Sequence, residues 1–227
     1  MSARALAPLS LFYVRDVRPA IVARRRERDE DVISHLIDQD YTDPEILIEC
    51  VTYGAAGMVT TREYICMVAW HLLEDAELRR RYLTAEQTER HDILHEILRL
   101  EPVVGHLYRR ATSDITLQDG GTVHHIPAGA VMDLSVRAAN ADPDVVGEDP
   151  LCVRPDRAMS KGVRPEAMSF GDGNHRCPGN SLAIHETDIL LTRLLALEPV
   201  LESPPRLGWL DLIAGYELRE VRLRRAA

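Results

Sequence analysis

Through the first hundred residues apolar positions recur every three or four places, the spacing of one helical face, and this pattern stops at Glu101-Pro102. Residues 29–37 predict a short amphipathic helix. Asp43-Pro44 then opens a long apolar-periodic stretch to about Leu73, with proline in the first turn, where its missing N–H is not needed. A shorter helix follows around 75–82. Thr84 with Gln87 three places on has the form of a capping box ahead of Ile93, Leu94, Ile97 and Leu98. Beyond Pro102 short strand-like runs at 107–112, 115–118 and 122–126 alternate with Asp119-Gly120-Gly121 and Ile126-Pro127-Ala128-Gly129 turns, which predicts a small β region. Residues 142–169, rich in Pro, Asp and Arg, follow neither period and predict a long ordered loop. Residues 181–197 return to helix, with Leu182, Ile189, Leu190, Leu194 and Leu195 as a wide apolar face. A final strand is predicted over 216–223.

No repeat or Gly/Ser linker interrupts this order, so residues 1–227 are expected to form one domain, mainly α with a small β region. The composition, 45% hydrophobic and 28% charged, is that of a globular protein. A formal net charge of −9 argues against nucleic acid as a partner. No apolar run reaches the roughly 20 residues that cross a bilayer. The apolar stretch from Ala5 to Val14 leads into Arg15, Arg18 and Arg24-Arg25-Arg26 without a small-residue cleavage site, unlike a signal peptide. A cytoplasmic protein is therefore expected. Cys50, Cys66, Cys152 and Cys177 form no CxxC pair and no short metal-ligand spacing, which leaves neither a disulfide framework nor a zinc or thiol enzyme supported. His124 and His125, being adjacent, fall on opposite faces of a strand and cannot chelate one ion by themselves.

The chemistry concentrates in Phe170–Gly179, FGDGNHRCPG, where a glycine-punctuated loop delivers Cys177 to the start of a helix. Helix N–H groups, Arg176 and His175 all favour a thiolate there. Gly171, Gly173 and Gly179 omit side chains where a flat cofactor would need close backbone approach. This stretch resembles the haem-binding loop of the cytochrome P450 superfamily, Phe-Gly-x-Gly-x-His/Arg-x-Cys-x-Gly, at every fixed position. The resemblance implies that Cys177 is the axial thiolate ligand of haem b (iron protoporphyrin IX), that His175 bonds a haem propionate, and that Phe170 packs near the cysteine. Ile184 departs from the Arg that many bacterial members carry.

Two further matches follow. Glu96 and Arg99 form an ExxR pair on one helical face, which in the family locks to an Arg of the long loop; Arg157 stands in that place, and all three are assigned a structural role. Ala56, Gly57 and Thr60 lie within the long helix, and the resemblance implies that the small pair lets haem and dioxygen approach while the Thr60 hydroxyl organises proton delivery. Back-bonding to the preceding turn is the ordinary alternative for a helical Thr. Val59 replaces the acid commonly found before that Thr, so water, substrate groups or Glu63 would have to serve. Arg109 matches a strand arginine that meets a haem propionate, whereas Arg110 is expected to be solvated. Val103, Val104 and Leu107 correspond to pocket-lining positions and equally suit a plain core.

The resemblance runs from about Leu9 to the C-terminus, and the chain is about half the length of a member. The expectation is a cytochrome P450 fold truncated at the N-terminus, whose first helices and sheet have no counterpart, so that a separate N-terminal half or self-association would cover apolar faces. The implied activity is a haem-thiolate monooxygenase acting on a small lipophilic organic substrate. A ferredoxin or flavodoxin-like donor would dock on the Cys177 side, near Arg176 and Arg79-Arg80-Arg81. The alternative is a non-catalytic haem-binding or interaction fragment.

Overall fold

The computed structural model describes residues 3–225, with side chains from residue 8 onwards. The chain divides into two compact units, residues 1–59 and 60–227, and the division falls inside one long helix. The first unit comprises α1 (Ala3–Phe12), a π-helical turn (Tyr13–Val17), α2 (Arg18–Arg26), α3 (Val32–Asp38) and the start of α4 (Asp43–Glu74). Asp31 caps α3 by accepting the Ser34 N–H at 2.8 Å. Ahead of α4, the Glu45 carboxylate reaches back to the Thr42 N–H at 2.8 Å. Val17, Ile21, Leu36 and Ile46 form this unit's small core.

The second unit takes in the rest of α4 and continues through α5 (Ala76–Thr84) and α6 (Gln87–Leu100). Strands β1 (His106–Arg110), β2 (Ile115–Asp119), β3 (Thr122–Ile126) and β4 (Val131–Ser135) follow, then α7 (Val136–Asn140), α8 (Pro143–Val146) and α9 (Asn180–Leu195). Strands β5 (Pro199–Leu201), β6 (Arg206–Leu210), β7 (Gly215–Arg219) and β8 (Leu223–Arg225) complete it. The strands pair as antiparallel ribbons, β1 with β4, β2 with β3, β5 with β8 and β6 with β7. Gly120 and Gly121, at φ +51° and +86°, make the tight β2–β3 turn that an L side chain would strain. The core gathers Tyr64, Val68 and Leu72 of α4, Leu78 and Tyr82 of α5, Ile93, Leu94 and Ile97 of α6, and Ile184, Leu191 and Leu195 of α9. A mainly α architecture with a small β region is what the pattern predicted.

Local expectations need correction at several points. Thr84 does not cap α6. Its hydroxyl donates to the Arg80 and Arg81 carbonyls at the end of α5, and Glu86 stands at the α6 N-cap without a side-chain bond. The buried face of α9 is turned in part from the expected one, of whose positions only Leu194 and Leu195 pack inward. Leu182, Ile189 and Leu190 are exposed, Leu182 at 61%, while Ile184, Thr187, Asp188, Leu191 and Leu195 face inward. Asp188 sets that face, because its carboxylate takes two bonds from Arg90, at 2.7 and 2.9 Å, and one from the Tyr82 hydroxyl at 2.7 Å. A fully partnered carboxylate can be buried where a lone one cannot. The 142–169 loop contains the short α8, and the single strand expected over 216–223 is two strands, β7 and β8.

Candidate functional site

The long loop is held to the helical core through Glu96. Its carboxylate, 4% exposed, accepts Arg99 Nε at 2.7 Å and Nη2 at 2.8 Å, then Arg157 Nε and the Arg154 backbone N–H, both at 3.0 Å. Both guanidiniums spend their remaining donors on loop carbonyls. Arg99 Nη1 reaches Asn140 O and Pro150 O, and Arg157 bonds the carbonyls of Val146, Glu148, Asp149 and Cys152. The ExxR pair and Arg157 thus do meet, buried and with every charge hydrogen-bonded, which is the condition for an interior ion network to persist.

A residue that the sequence did not single out connects this lock to the cysteine loop. Asn140, fully buried, donates to Arg99 O at 3.0 Å and to Ser169 Oγ at 2.8 Å, and accepts the Met168 N–H at 2.9 Å. The Ser169 hydroxyl in turn donates to Leu98 O at 2.8 Å. Nothing in Arg137-Ala-Ala-Asn140 separates this asparagine from an ordinary helix stop, because its partners lie about thirty to forty places away in sequence.

From this anchor the loop turns through Gly171 and Gly173, at φ +70° and +61°, conformations that glycine adopts without strain. A short 3₁₀ turn (Gly173–His175) leads to Cys177, whose N–H donates to Phe170 O at 2.8 Å and whose carbonyl accepts Asn180 Nδ2 at 2.7 Å. The chain therefore folds back at the cysteine just before α9. A Cβ at Gly179 would stand 4.0 Å from Cys177 Sγ. Phe170 packs on the main core. Cys177 is half-buried, and like Cys50, Cys66 and the exposed Cys152 it is a free thiol. Among the described residues no group of three or more His, Cys, Asp or Glu side chains could hold a metal ion.

The remaining candidates are spread over other elements. His175 is exposed and has no ion-pair partner among the described residues. Arg109, exposed on β1, donates among the described residues only to the neighbouring Tyr108 carbonyl, at 2.9 Å. Thr60 lies half-buried in the second unit, whereas Ala56 and Gly57 are exposed in the first, and a Cβ at Gly57 would meet nothing within 4 Å. Glu63 is not available as a proton relay. Burial alone would push its carboxyl up, but the Leu218 N–H at 2.6 Å, with Arg219 and Arg62, holds it below the usual carboxylate range and fastens α4 to β7. Val103 is a core residue, and Val104 bridges to Gly215. The Arg79-Arg80-Arg81 run is largely neutralised, since Arg80 pairs with Glu77 and Arg81 with Glu89.

A family model described as Cytochrome P450 matches residues 91–197, a span that contains Glu96, Arg99, Arg157 and Cys177. Steroid 21-hydroxylase of Bos taurus is 37% identical over 57% of this chain and 27% of its own length. Cytochrome P450 109 of Bacillus spizizenii is 31% identical over 84% of this chain and 45% of its own. The chain therefore spans between about a quarter and just under half of these curated relatives. Among solved structures, CYP109E1 of Bacillus megaterium in complex with corticosterone superposes with a TM-score of 0.78 at 26% identity, covering 98% of this chain and 58% of that one. CYP164A2 of Mycobacterium smegmatis, with econazole bound, gives 0.72 at 28% identity over 94% and 52%. With its fold shared almost end to end and the family model laid across both the glutamate lock and the cysteine loop, this chain belongs to the cytochrome P450 family.

Proposed function

We propose that residues 1–227 act as one haem-binding domain of a haem-thiolate monooxygenase, which inserts one oxygen atom into a small lipophilic organic substrate. The observation that carries this is the cysteine loop, which offers a free, half-buried thiol behind two left-handed glycines and ahead of a long helix. These residues fit haem b. A cysteine-ligated haem, when bound, supplies an electron-rich iron that favours O–O cleavage. Cys177 Sγ would be the metal ligand, and the helix N-terminus beside it stabilises negative charge on sulfur. Gly171, Gly173 and Gly179 would leave room for a flat ring to approach the backbone, and Phe170, packed on the main core, would help keep water from the sulfur. His175 and Arg109, cationic or donor groups that bond no carboxylate among the described residues, suit the two propionates. Ala56 and Gly57 offer a helix surface without bulk, and the Thr60 hydroxyl would hold and pass the proton that oxygen activation requires.

Val59 supplies no acid beside Thr60, and Glu63 is held by β7, so water or substrate would have to complete the relay. A lipophilic substrate is supported by the corticosterone complex of CYP109E1. Electrons would come from a ferredoxin or flavodoxin-like protein, docking in the cytoplasm on the Cys177 side. No helix among the described residues is long and apolar enough to cross a membrane.

The test is a ferrous–CO difference spectrum of the purified chain reconstituted with hemin, beside Cys177→Ser. A strongly red-shifted Soret band that the variant loses is expected. Absence of that band, or its survival in Cys177→Ser, would refute thiolate ligation and favour a non-catalytic interaction fragment.

A further inference from the structure

Of the buried side-chain polar atoms that lack a hydrogen-bond partner among the described residues, three come from residues lining one cavity: His91 Nε2, His95 Nδ1 and Arg176 Nη1. The cavity has a volume of about 330 Å³ and lies beside the first turn of α9, with Arg164, Glu166 and Ser181 also in its wall. The nearby carboxylates are already engaged. Glu166, buried, accepts Arg176 Nη2 at 3.2 Å and stands 3.4 Å from His95 Nδ1. Asp188 is saturated by Arg90 and Tyr82, which leaves His91 Nε2 at 3.7 Å. Arg164 pairs with the exposed Asp172 at 3.1 Å.

Imidazole nitrogens can be satisfied as donors or acceptors, but a guanidinium N–H only donates. A group that completes this cavity must therefore bring an acceptor to Arg176 Nη1, and a metal cation would be repelled there. The charges of Arg164 and Arg176 are balanced by Asp172 and Glu166, so further positive charge must come from the histidines and from the first-turn N–H groups of α9. We propose that this cavity binds a small tetrahedral oxyanion of the phosphate class, held by Arg176 Nη1 and by His91 and His95 as these take up protons.

Burial holds both histidines below the usual imidazole range. His95 is faced by Glu166, His91, Asp92 and Arg176, and His91 by Asp188, His185, Arg90 and Asp92. Without an anion both are neutral near pH 7. An oxyanion raises their proton affinity, so binding and proton uptake reinforce one another, and the affinity falls by up to about tenfold per pH unit for each proton taken up.

Titration calorimetry with sulfate, which does not itself titrate near neutrality, tests the inference at constant ionic strength in chloride. One saturable site is expected, with net proton uptake and tighter binding as pH falls. Arg176→Gln should weaken it by about tenfold to a hundredfold. Because Arg176 adjoins the cysteine loop, His95→Gln is the second variant, expected to melt normally without sulfate while taking up fewer protons on binding. Inorganic phosphate and glycerol phosphate distinguish the source: equal binding assigns a phosphate monoester, and exclusion of the glycerol ester assigns the free ion. No saturable binding, or binding that neither variant alters, would overturn the proposal and leave a water-filled cavity.

Discussion

Removing the Glu96 carboxylate charge probes the lock most directly. In Glu96→Gln one oxygen becomes an NH₂ group, a donor turned towards donors, so either the Arg99 Nε bond or the three bonds to the other oxygen are lost. Two guanidiniums, 0% and 4% exposed, then remain inside without a counter-charge. Breaking a buried ion pair from one side costs about 3–5 kcal/mol. For a chain of this size that corresponds to a melting point lower by about 10 °C. The carbonyls of Asn140 and Pro150, and the four that Arg157 bonds, soften the loss without removing it, since they carry no net charge. Thermal and urea unfolding followed by far-ultraviolet circular dichroism read the effect. Glu77→Gln is the internal comparison, because its pair with Arg80 has the same i, i+3 spacing but stands in solvent and is expected to leave the midpoint unchanged. Equal midpoints for the two variants would refute the claim that burial, and not spacing, makes this pair matter.

Two other outcomes follow from the same physics. At Gly215 an added Cβ would lie 1.8 Å from the Val103 carbonyl oxygen, a backbone atom, so Gly215→Ala should destabilise by about 3 kcal/mol or more and shift β7 away from Val104, which amide exchange at Gly105 would register. Because the folded Glu63 carboxyl is held below its ordinary value of 4.5, its stabilisation is fully present above that pH and disappears as the pH falls through the folded value. Glu63→Gln should therefore lower stability by about 2 kcal/mol at neutral pH and reduce the acid dependence of unfolding; an unchanged acid limb would show that Glu63 contributes nothing to it.

Local chemistry was legible wherever neighbours along the chain decide it. The helix opening at Asp75, the Gly120-Gly121 hairpin, the end at Glu101-Pro102 and the turn through Gly171 and Gly173 all follow from dihedral preferences and caps within a few residues, whereas the helix expected from residue 29 opens only at Val32, behind the Asp31 cap. The same kind of local rule misled at Thr84. Thr42-x-x-Glu45 and Thr84-x-x-Gln87 share one pattern, yet only Glu45 reaches back to its threonine's N–H, because Thr84 still belongs to α5. Hydrophobicity alone likewise placed the buried face of α9 on Leu182, Ile189, Leu190, Leu194 and Leu195, of which only the last two pack inward. Only the tertiary structure could show that Asp188 faces inward, since its partners Arg90 and Tyr82 lie about a hundred residues away. Asn140, the capture of Glu63 by β7, and the buried nitrogens of His91, His95 and Arg176 that find no partner among the described residues belong to the same kind. The sequence by itself determined the mainly helical class, the cysteine loop and the identity of the lock's three charged residues. Which polar groups are buried, and whether each finds a partner, was decided by tertiary packing, because desolvation and hydrogen-bond geometry depend on residues that only folding brings together.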